Sequence, residues 1–423
     1  GVRIDGGDKD SLTHGGNYAE NNEIHDFTML KKSYSPGVHL YGVGNIARHN
    51  EFYNCAHAAV LFAGSEHIIE FNEFHNCVLD ATDMGAIYSG RDMSALGTEI
   101  RYNYFHDLGD NMIGGSLGVQ SVFIDDCQSG TLIHHNVFGK GSGANYAVKT
   151  HAGQENYITE NLFLNTSLVY LMADWDDDSW QRCLSGDPDL WRNQDWDNQI
   201  YKTLITVNTN PLYLEKWPWL RTAATMGQNA FRSNTLENNI FAFIEVKRDS
   251  QWARDYGRGH AIKGLDNNTT YQGNTDEIKA NFADYAGGNF TIKPDSAMAK
   301  AQPEVASIPF SEIGRRTYAN QPPQAQDISI IGDVVVGGTL TGIYTYSDPE
   351  RDLEGNTSFR WLVSDTENGT YTAIPNQTGN TFVFTADYSG KFIKFEVTPA
   401  TADGQVGSAY TSPALRAIAD KGS

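Results

Sequence analysis

The sequence predicts an all-β chain, a right-handed parallel β-helix (solenoid) followed by a small antiparallel Ig-like β-sandwich. The first observation behind this is a recurring phrase: an asparagine, one residue, then Ile or Phe, usually with His or Asn close behind. It reads Asn22-Glu-Ile-His, Asn50-Glu-Phe-Tyr, Asn72-Glu-Phe-His, Asn103-Tyr-Phe-His, Asn136-Val-Phe, Asn161-Leu-Phe and Asn238-Asn-Ile-Phe. These anchors lie 28, 22, 31, 33, 25 and 77 residues apart, so a unit of a little over twenty residues repeats with variable insertions. In a coil whose turns stack at about 4.8 Å, equivalent side chains form columns; Asn then bonds along its column while Ile and Phe fill the interior. The second observation is a change of pattern at about residue 325. From there short alternating strands take over, as in Phe359-Arg-Trp-Leu-Val, Thr381-Phe-Val-Phe and Phe392-Ile-Lys-Phe-Glu-Val.

Taken in order, residues 1 to about 165 read as nearly continuous solenoid. Apolar runs such as Ala59-Val-Leu-Phe, Ala86-Ile-Tyr, Ser121-Val-Phe-Ile, Ala147-Val-Lys and Leu168-Val-Tyr-Leu alternate with Gly- and Asn-bearing turns. An insertion at about 166–235 interrupts the repeat and carries six of the chain's eight tryptophans, Trp175, Trp180, Trp191, Trp196, Trp217 and Trp219. A loop of that length in a regular solenoid serves a function or caps something. About half of the indoles are expected to pack the insertion onto the coil, and the rest to offer flat apolar faces to sugar rings. The coil is expected to resume at Asn238 and fade out through Asn267, Asn274 and Asn289, closing a domain of residues 1–315. A Pro- and Gln-bearing linker, 316–324, leads to the sandwich at 325–423, with Trp361 as its buried anchor. Within it, Val334-Val-Val-Gly-Gly-Thr-Leu-Thr-Gly reads as a strand, and Asp348, Glu350, Asp352 and Glu354 as a solvated acidic turn rather than a calcium loop.

Composition narrows the function classes. With 31 Lys plus Arg against 52 Asp plus Glu, the net charge is −21, which disfavours nucleic acid and anionic lipid as partners. No apolar run reaches the length of a membrane span, so no membrane insertion is expected. The chain opens inside a coil with no initiating Met, as expected of a processed or trimmed product. Four cysteines are too few for a disulfide scaffold, and Cys55 and Cys77, at equivalent places in successive repeats, are expected to be buried thiols.

Columns also bring distant residues together. Aligning Ala86-Ile-Tyr-Ser-Gly-Arg91-Asp92 with Val122-Phe-Ile-Asp125-Asp126, Ala147-Val-Lys149-Thr-His151 and Val169-Tyr-Leu-Met-Ala-Asp174 gathers Arg91, Asp92, Asp125, Asp126, Lys149, His151 and Asp174 on a few rungs. Adjacent carboxylates at Asp125 and Asp126 repel and need a use or a cation. They suit glycosidic cleavage, in which one carboxyl protonates the leaving oxygen and another attacks or activates water. The histidines of the repeated phrase, His25, His75 and His106, read as structural.

The phrases Asp83-Met-Gly-Ala-Ile-Tyr-Ser-Gly-Arg-Asp92, Ile100-Arg-Tyr-Asn-Tyr-Phe-His-Asp107 and Val122-Phe-Ile-Asp-Asp-Cys-Gln-Ser-Gly130 resemble those of bacterial β-helix proteins similar to glycoside hydrolase family 141. The resemblance spans roughly residues 1–245. It implies a pectin-lyase-like fold, no organic cofactor, a secreted or cell-surface location, and hydrolysis of plant-type polysaccharide. It also implies an acid in the Asp83–Asp92 phrase paired with one of Asp125 and Asp126. The C-terminal part resembles extracellular bacterial Ig-like repeats through Tyr346-Ser-Asp-Pro-Glu-Arg-Asp-Leu-Glu-Gly and Phe359-Arg-Trp-Leu. Strand arithmetic prefers Asp92 to Asp83, which lies nine residues earlier, or roughly 30 Å along a straight strand. A lateral offset between Asp92 and Asp126 then favours the wider carboxyl separation of inverting enzymes. Arg91, Lys149 and His151 would orient sugar groups, with Asp174 beside them and Trp175 as a subsite wall. Two other classes compete: a calcium-dependent lyase using Lys149 or Arg91 with Asp174, Asp176, Asp177 and Asp178, and a non-catalytic carbohydrate-binding or adhesin protein.

Overall fold

The computed structural model describes the chain except residues 29, 110–117, 142–145, 167, 174, 176, 191–193, 224–231, 246–252, 256–259, 317–320, 350–351 and 418–423, together with the side chains of 177, 194–197, 232, 253–255 and 260. The chain divides into a unit of Gly1–Arg316 and a unit of Thr317–Ser423.

The first unit is the β-helix. Among the described residues, three parallel sheets of eight strands each run its length. The first sheet begins with Val2–Gly6 and ends with Ala253–Asp255, the second runs from Tyr18–Glu20 to His260–Lys263, and the third from Glu23–His25 to Thr269–Gln272. The apolar runs of the sequence are the strands of the first sheet, among them Val60–Phe62, Met84–Gly90, Val119–Asp125, Val148–His151 and Tyr170–Ala173.

Between the second and third sheets the chain turns on one residue in the left-handed region, as at Asn21, His49, Phe71, Tyr102, His135, Glu160 and Asn238. An asparagine comes directly after each of them. Asn22, Asn50, Asn72, Asn103, Asn136, Asn161, Asn239 and Asn268 form a ladder in which each Oδ1 accepts both the backbone and the side-chain N–H of the rung before. The rung is therefore Asn239, not Asn238. Two consecutive asparagines fit both the left-handed turn and the ladder, so the one-residue error is invisible in sequence. Beneath the ladder Phe52, Phe74, Phe105, Phe138 and Phe163 stack at centroid distances of 4.7–5.2 Å. Outside it His25, Tyr53, His75 and His106 stack likewise. A second column, at the turn into the second sheet, joins Asn17 to Asn45, Asn45 to His67, Thr131 to Asn156, and Asn156 to Asn234. All four cysteines are buried.

Two stretches depart from the sequence reading. The coil stops at Gln272 and gives way to a hairpin, Phe282–Asp284 with Asn289–Ile292, and the short helices Ala297–Ala301 and Pro303–Ala306. These pack Ile278, Phe282, Ile292, Met298, Val305 and Ile308 on the outward side chains Val137, Leu162, Leu164 and Ile240 of the third sheet. The strap then returns to the first coils, where Gly314 N–H donates to Phe71 O and Arg315 pairs with Glu23 at 2.6 Å. The insertion is helical where described, with helices Asp177–Leu184, Gln194–Val207, Pro211–Lys216 and Leu220–Ala223. Trp180 is fully buried among Met93, Leu96, Cys127 and Ala152 at the turn leaving the first sheet, and Trp217 and Trp219 pack on the same cluster. Trp191 and the Trp196 side chain lie outside the described residues.

The second unit places Gln324–Gly332, Thr339–Ser347 and Thr381–Val383 in one antiparallel sheet, and Ser358–Ser364, Thr372–Ala373, Phe392–Thr398 and Tyr410–Thr411 in another. Trp361 is fully buried against Phe382 and Phe395 and donates its indole N–H to Gly379 O. The strand expected at Val334 begins instead at Thr339, and the strand from Gln324 has no counterpart in the sequence reading. In the acidic turn Asp348 accepts Asp352 N–H, and Glu354 accepts the Tyr344 and Thr357 hydroxyls; Glu350 lies outside the described residues.

Candidate active site

The site lies where the strands of the first sheet end. Met84–Gly90 pairs with Val119–Asp125 so that Tyr88 faces Phe123 and Gly90 faces Asp125, and Val119–Asp125 pairs with Val148–His151 so that Phe123 faces Lys149. Tyr88, Phe123 and Lys149 thus form one outward column, and Asp125 and His151 lie two residues further along it.

Neighbouring strand residues point to opposite faces, so Asp125 and Asp126 would diverge in a straight strand. They do not, because Asp126 (φ 38°) and Cys127 (φ 70°) both take the left-handed conformation as the chain leaves the sheet. Arg91 does the same one rung earlier at φ 62°. Such backbone costs about 1–3 kcal/mol per non-glycine residue and persists where surrounding contacts over-determine it. Here they do. His151 Nδ1 donates to Asp125 Oδ1 at 2.9 Å and lies 3.3 Å from Asp126 Oδ1, and Arg91 Nε donates to Asp126 Oδ2 at 2.6 Å. The Tyr88 hydroxyl donates to Asp125 Oδ2 at 2.9 Å, and Asp126 N–H donates to Asp125 Oδ1 at 2.8 Å. Gly90 makes room for the tyrosine, since a Cβ there would sit 3.2 Å from the Tyr88 hydroxyl and 3.0 Å from Asp125 Cβ. Both carboxylates are 8 % exposed.

Burial opposes the charge of His151, but hydrogen bonds to Asp125 and Asp126 outweigh it and push its pKa up to about 9. Burial likewise opposes ionisation of Asp126, yet His151 and Arg91 hold its pKa below the ordinary value. Burial and the Asp125 charge drive the Tyr88 pKa far up, so the phenol remains a donor. The three groups Asp125, Asp126 and His151 are close enough to share a metal ion. All four carboxylate oxygens already face N–H or O–H donors, however, which is no match for the six to eight oxygens calcium takes.

Around this floor opens a cleft of about 460 Å³ lined by Tyr34, Asp83, Tyr88, Arg91, Asp125, Asp126, His151 and, from the insertion, Trp175, Arg182 and Ile200. Trp175 meets His151 edge to face at 5.6 Å. Lys149 is buried, 4.1 Å from the Phe123 ring centroid, and its Nζ reaches Asp83 Oδ1 at 2.8 Å.

Asp92 is the residue the structure removes from the group. Its Oδ2 accepts Gly64 N–H at 2.8 Å and its Oδ1 accepts Ser94 N–H and Oγ–H at 2.9 and 2.5 Å, beneath the turn and away from the cleft lining. The left-handed residue Arg91 redirects the chain between Gly90 and Asp92. Asp83 lines the cleft instead, from the start of the strand Met84–Gly90, where the Lys149 side chain of a neighbouring rung reaches it. The offset favouring inversion, drawn between Asp92 and Asp126, loses its geometric basis. Asp174 and Asp176 lie outside the described residues, as does the Asp177 side chain; Asp178 is exposed and borders a smaller recess with Gln181, Arg182 and Leu190. Sequence reasoning missed Tyr34, Tyr88, Arg182 and Ile200; of these Tyr88 carried a signal, since it lies two residues before Gly90 in the strand that runs beside Asp125.

Residues 1–163 match the family described as right handed beta helix region, and residues 324–413 match the AIR9 A9 domain, an Ig-like family. The 187-kDa microtubule-associated protein AIR9 of Arabidopsis thaliana is 34 % identical over 101 residues, which is 23 % of this chain and 6 % of that protein. This chain thus spans only a small fraction of its relative's length. No solved structure matches. The chain is a right-handed parallel β-helix followed by an Ig-like domain, and the β-helix is a fold shared with polysaccharide-degrading enzymes.

Proposed function

We propose that the β-helix unit is a glycoside hydrolase acting on extracellular polysaccharide, with the chemistry centred on Asp125, Asp126 and His151. The observation that carries this reading is the buried carboxylate pair, fixed by Arg91, His151 and Tyr88, at the floor of a cleft with Trp175 in its wall. The likeness to glycoside hydrolase family 141 agrees with it, and secretion from a bacterium belongs to the same proposal. Asp126, kept ionised, activates water or attacks the anomeric carbon. His151 is protonated at neutral pH; its Nδ1–H is committed to the carboxylates, and its Nε2 has no protein partner among the described residues. That nitrogen gives its proton to the leaving oxygen as the glycosidic C–O bond breaks; where water attacks, its proton passes to Asp126, and where Asp126 attacks, water hydrolyses the glycosyl ester and its proton returns to His151 Nε2. The Asp83–Lys149 pair and Trp175 hold the sugar.

Digestion of a polysaccharide panel tests the reading. Asp125→Asn and Asp126→Asn are expected to keep the far-ultraviolet dichroism and lose about two to four orders of magnitude in turnover, the range for general acid–base groups. Parental activity in both variants would move the chemistry elsewhere. Products that absorb in the near ultraviolet, formed only without EDTA, would establish the lyase instead. Binding without cleavage would favour the non-catalytic reading, for which the identity to a microtubule-associated protein is the supporting observation.

A further inference from the structure

We propose that His134, His135 and Glu160 form a binding site for a divalent transition metal of the zinc class, at the turn between the second and third sheets and outside the cleft. One ligand atom from each lies within 4.8 Å of the others. His134 Nδ1 is 2.8 Å from His135 Nδ1, and His135 Nδ1 is 3.5 Å from Glu160 Oε2. At zinc–ligand bonds of roughly 2.0–2.1 Å, neighbouring ligand atoms sit about 2.9 Å apart at a right angle and about 3.3 Å apart in a tetrahedron, close to the His134–His135 and His135–Glu160 separations.

The backbone builds this convergence. His134 ends the strand Leu132–His134, and His135 at φ 55° occupies the left-handed turn position, which keeps two adjacent side chains together. Glu160, φ 58°, holds the same position one rung on, with His135 N–H donating to Glu160 O at 3.1 Å. The next residues, Asn136 and Asn161, are consecutive rungs of the buried ladder, so the ligands stand on a rigid support.

The surroundings complete it. Two imidazole nitrogens at 2.8 Å must share either one proton or one cation, because paired lone pairs and paired N–H groups both repel. Glu99 Oε2 lies 3.6 Å from Nε2 of His134, the nitrogen opposite the proposed metal, as in carboxylate–histidine–metal triads. Arg101 is countered by Glu70 at 2.9 Å and Glu99 at 2.6 Å. Two imidazoles and one carboxylate favour zinc, cobalt or nickel over calcium or magnesium, and leave positions for water.

The test is titration of the metal-stripped full chain with Co²⁺, read by its visible absorption, followed by competition with Zn²⁺. One equivalent is expected to bind, to raise the melting temperature, and to weaken by about 100-fold or more in His134→Asn and Glu160→Gln. The double variant Asp125→Asn/Asp126→Asn, which tests the other cluster, is expected to bind as the parent does. No saturable binding by the parent, unchanged binding in both site variants, or loss only in the cleft variant would each overturn the proposal.

Discussion

Replacing Asn103 by Ala removes one rung from the middle of the buried ladder. The Asn103 Oδ1 accepts Asn72 N–H and Asn72 Nδ2–H, each at 3.0 Å, and its Nδ2 donates to Ile69 O, Arg101 O and Asn136 Oδ1 at 2.8, 2.9 and 3.0 Å. Asn103 and Asn72 are both fully buried, so water does not replace these partners without opening the coil. A net contribution of roughly 0.5–1.5 kcal/mol per hydrogen bond, with about 1–3 kcal/mol for an orphaned buried N–H at Asn72, gives a loss on the order of 3–5 kcal/mol after the bonds that Asn72 Nδ2 and Asn136 keep elsewhere. Repeat stacks open locally, so the fitting assay is native-state hydrogen exchange of peptides around Ile69–Asn72 and Arg101–Asn103. Exchange there is expected to rise by about 10²–10⁴-fold, at roughly 1.4 kcal/mol per factor of ten. Asn22→Ala, at an exposed rung whose Oδ1 accepts no bond among the described residues, is expected to cost under about 1 kcal/mol. Equal effects of the two substitutions, or less than a threefold change for Asn103→Ala, would refute the idea that buried rungs hold the stack.

Asp92→Ala should destabilise the unit by about 3 kcal/mol, because it orphans the N–H groups of Gly64 and Ser94; a calorimetric scan checks it, and retained turnover in the folded variant separates Asp92 from the cleft. His151 is more basic folded than unfolded, so its stabilising contribution is complete below about pH 6.5 and fades as pH rises to about 9. The rise from 6.5 to about 9 is worth about 3 kcal/mol at most, and His151→Gln should remove that part of the melting-temperature decline; an identical decline in the variant would show the coupling to be absent. Deleting 321–423 should leave turnover on small soluble substrates nearly unchanged, since every described residue lining the cleft lies in the first unit; a large loss with the coil intact would place part of the site in the sandwich.

The solenoid is legible from residue order alone, because stacked coils at a fixed rise require like residues at like positions, and buried amides and phenyl rings announce their columns. The same alignment gathers Arg91, Asp125, Asp126 and His151 on neighbouring rungs, and the register of the folded sheet sets Arg91 against Asp126 and His151 against Asp125. The second column is hidden in the sequence because Asn, His and Thr share it. The strap of 273–316 resembles fading coil there because its asparagines, Asn274 and Asn289, cap a helix and open a hairpin strand rather than forming a rung. Which carboxylates share the cleft is a property of the folded chain. Left-handed residues at Asp83, Arg91 and Asp126 redirect the backbone at the strand ends, so that Asp125 and Asp126 converge, Asp92 turns beneath, and Asp83 meets Lys149. Periodicity specifies where strands lie, whereas the directions of side chains at their ends depend on single backbone dihedrals that surrounding contacts select.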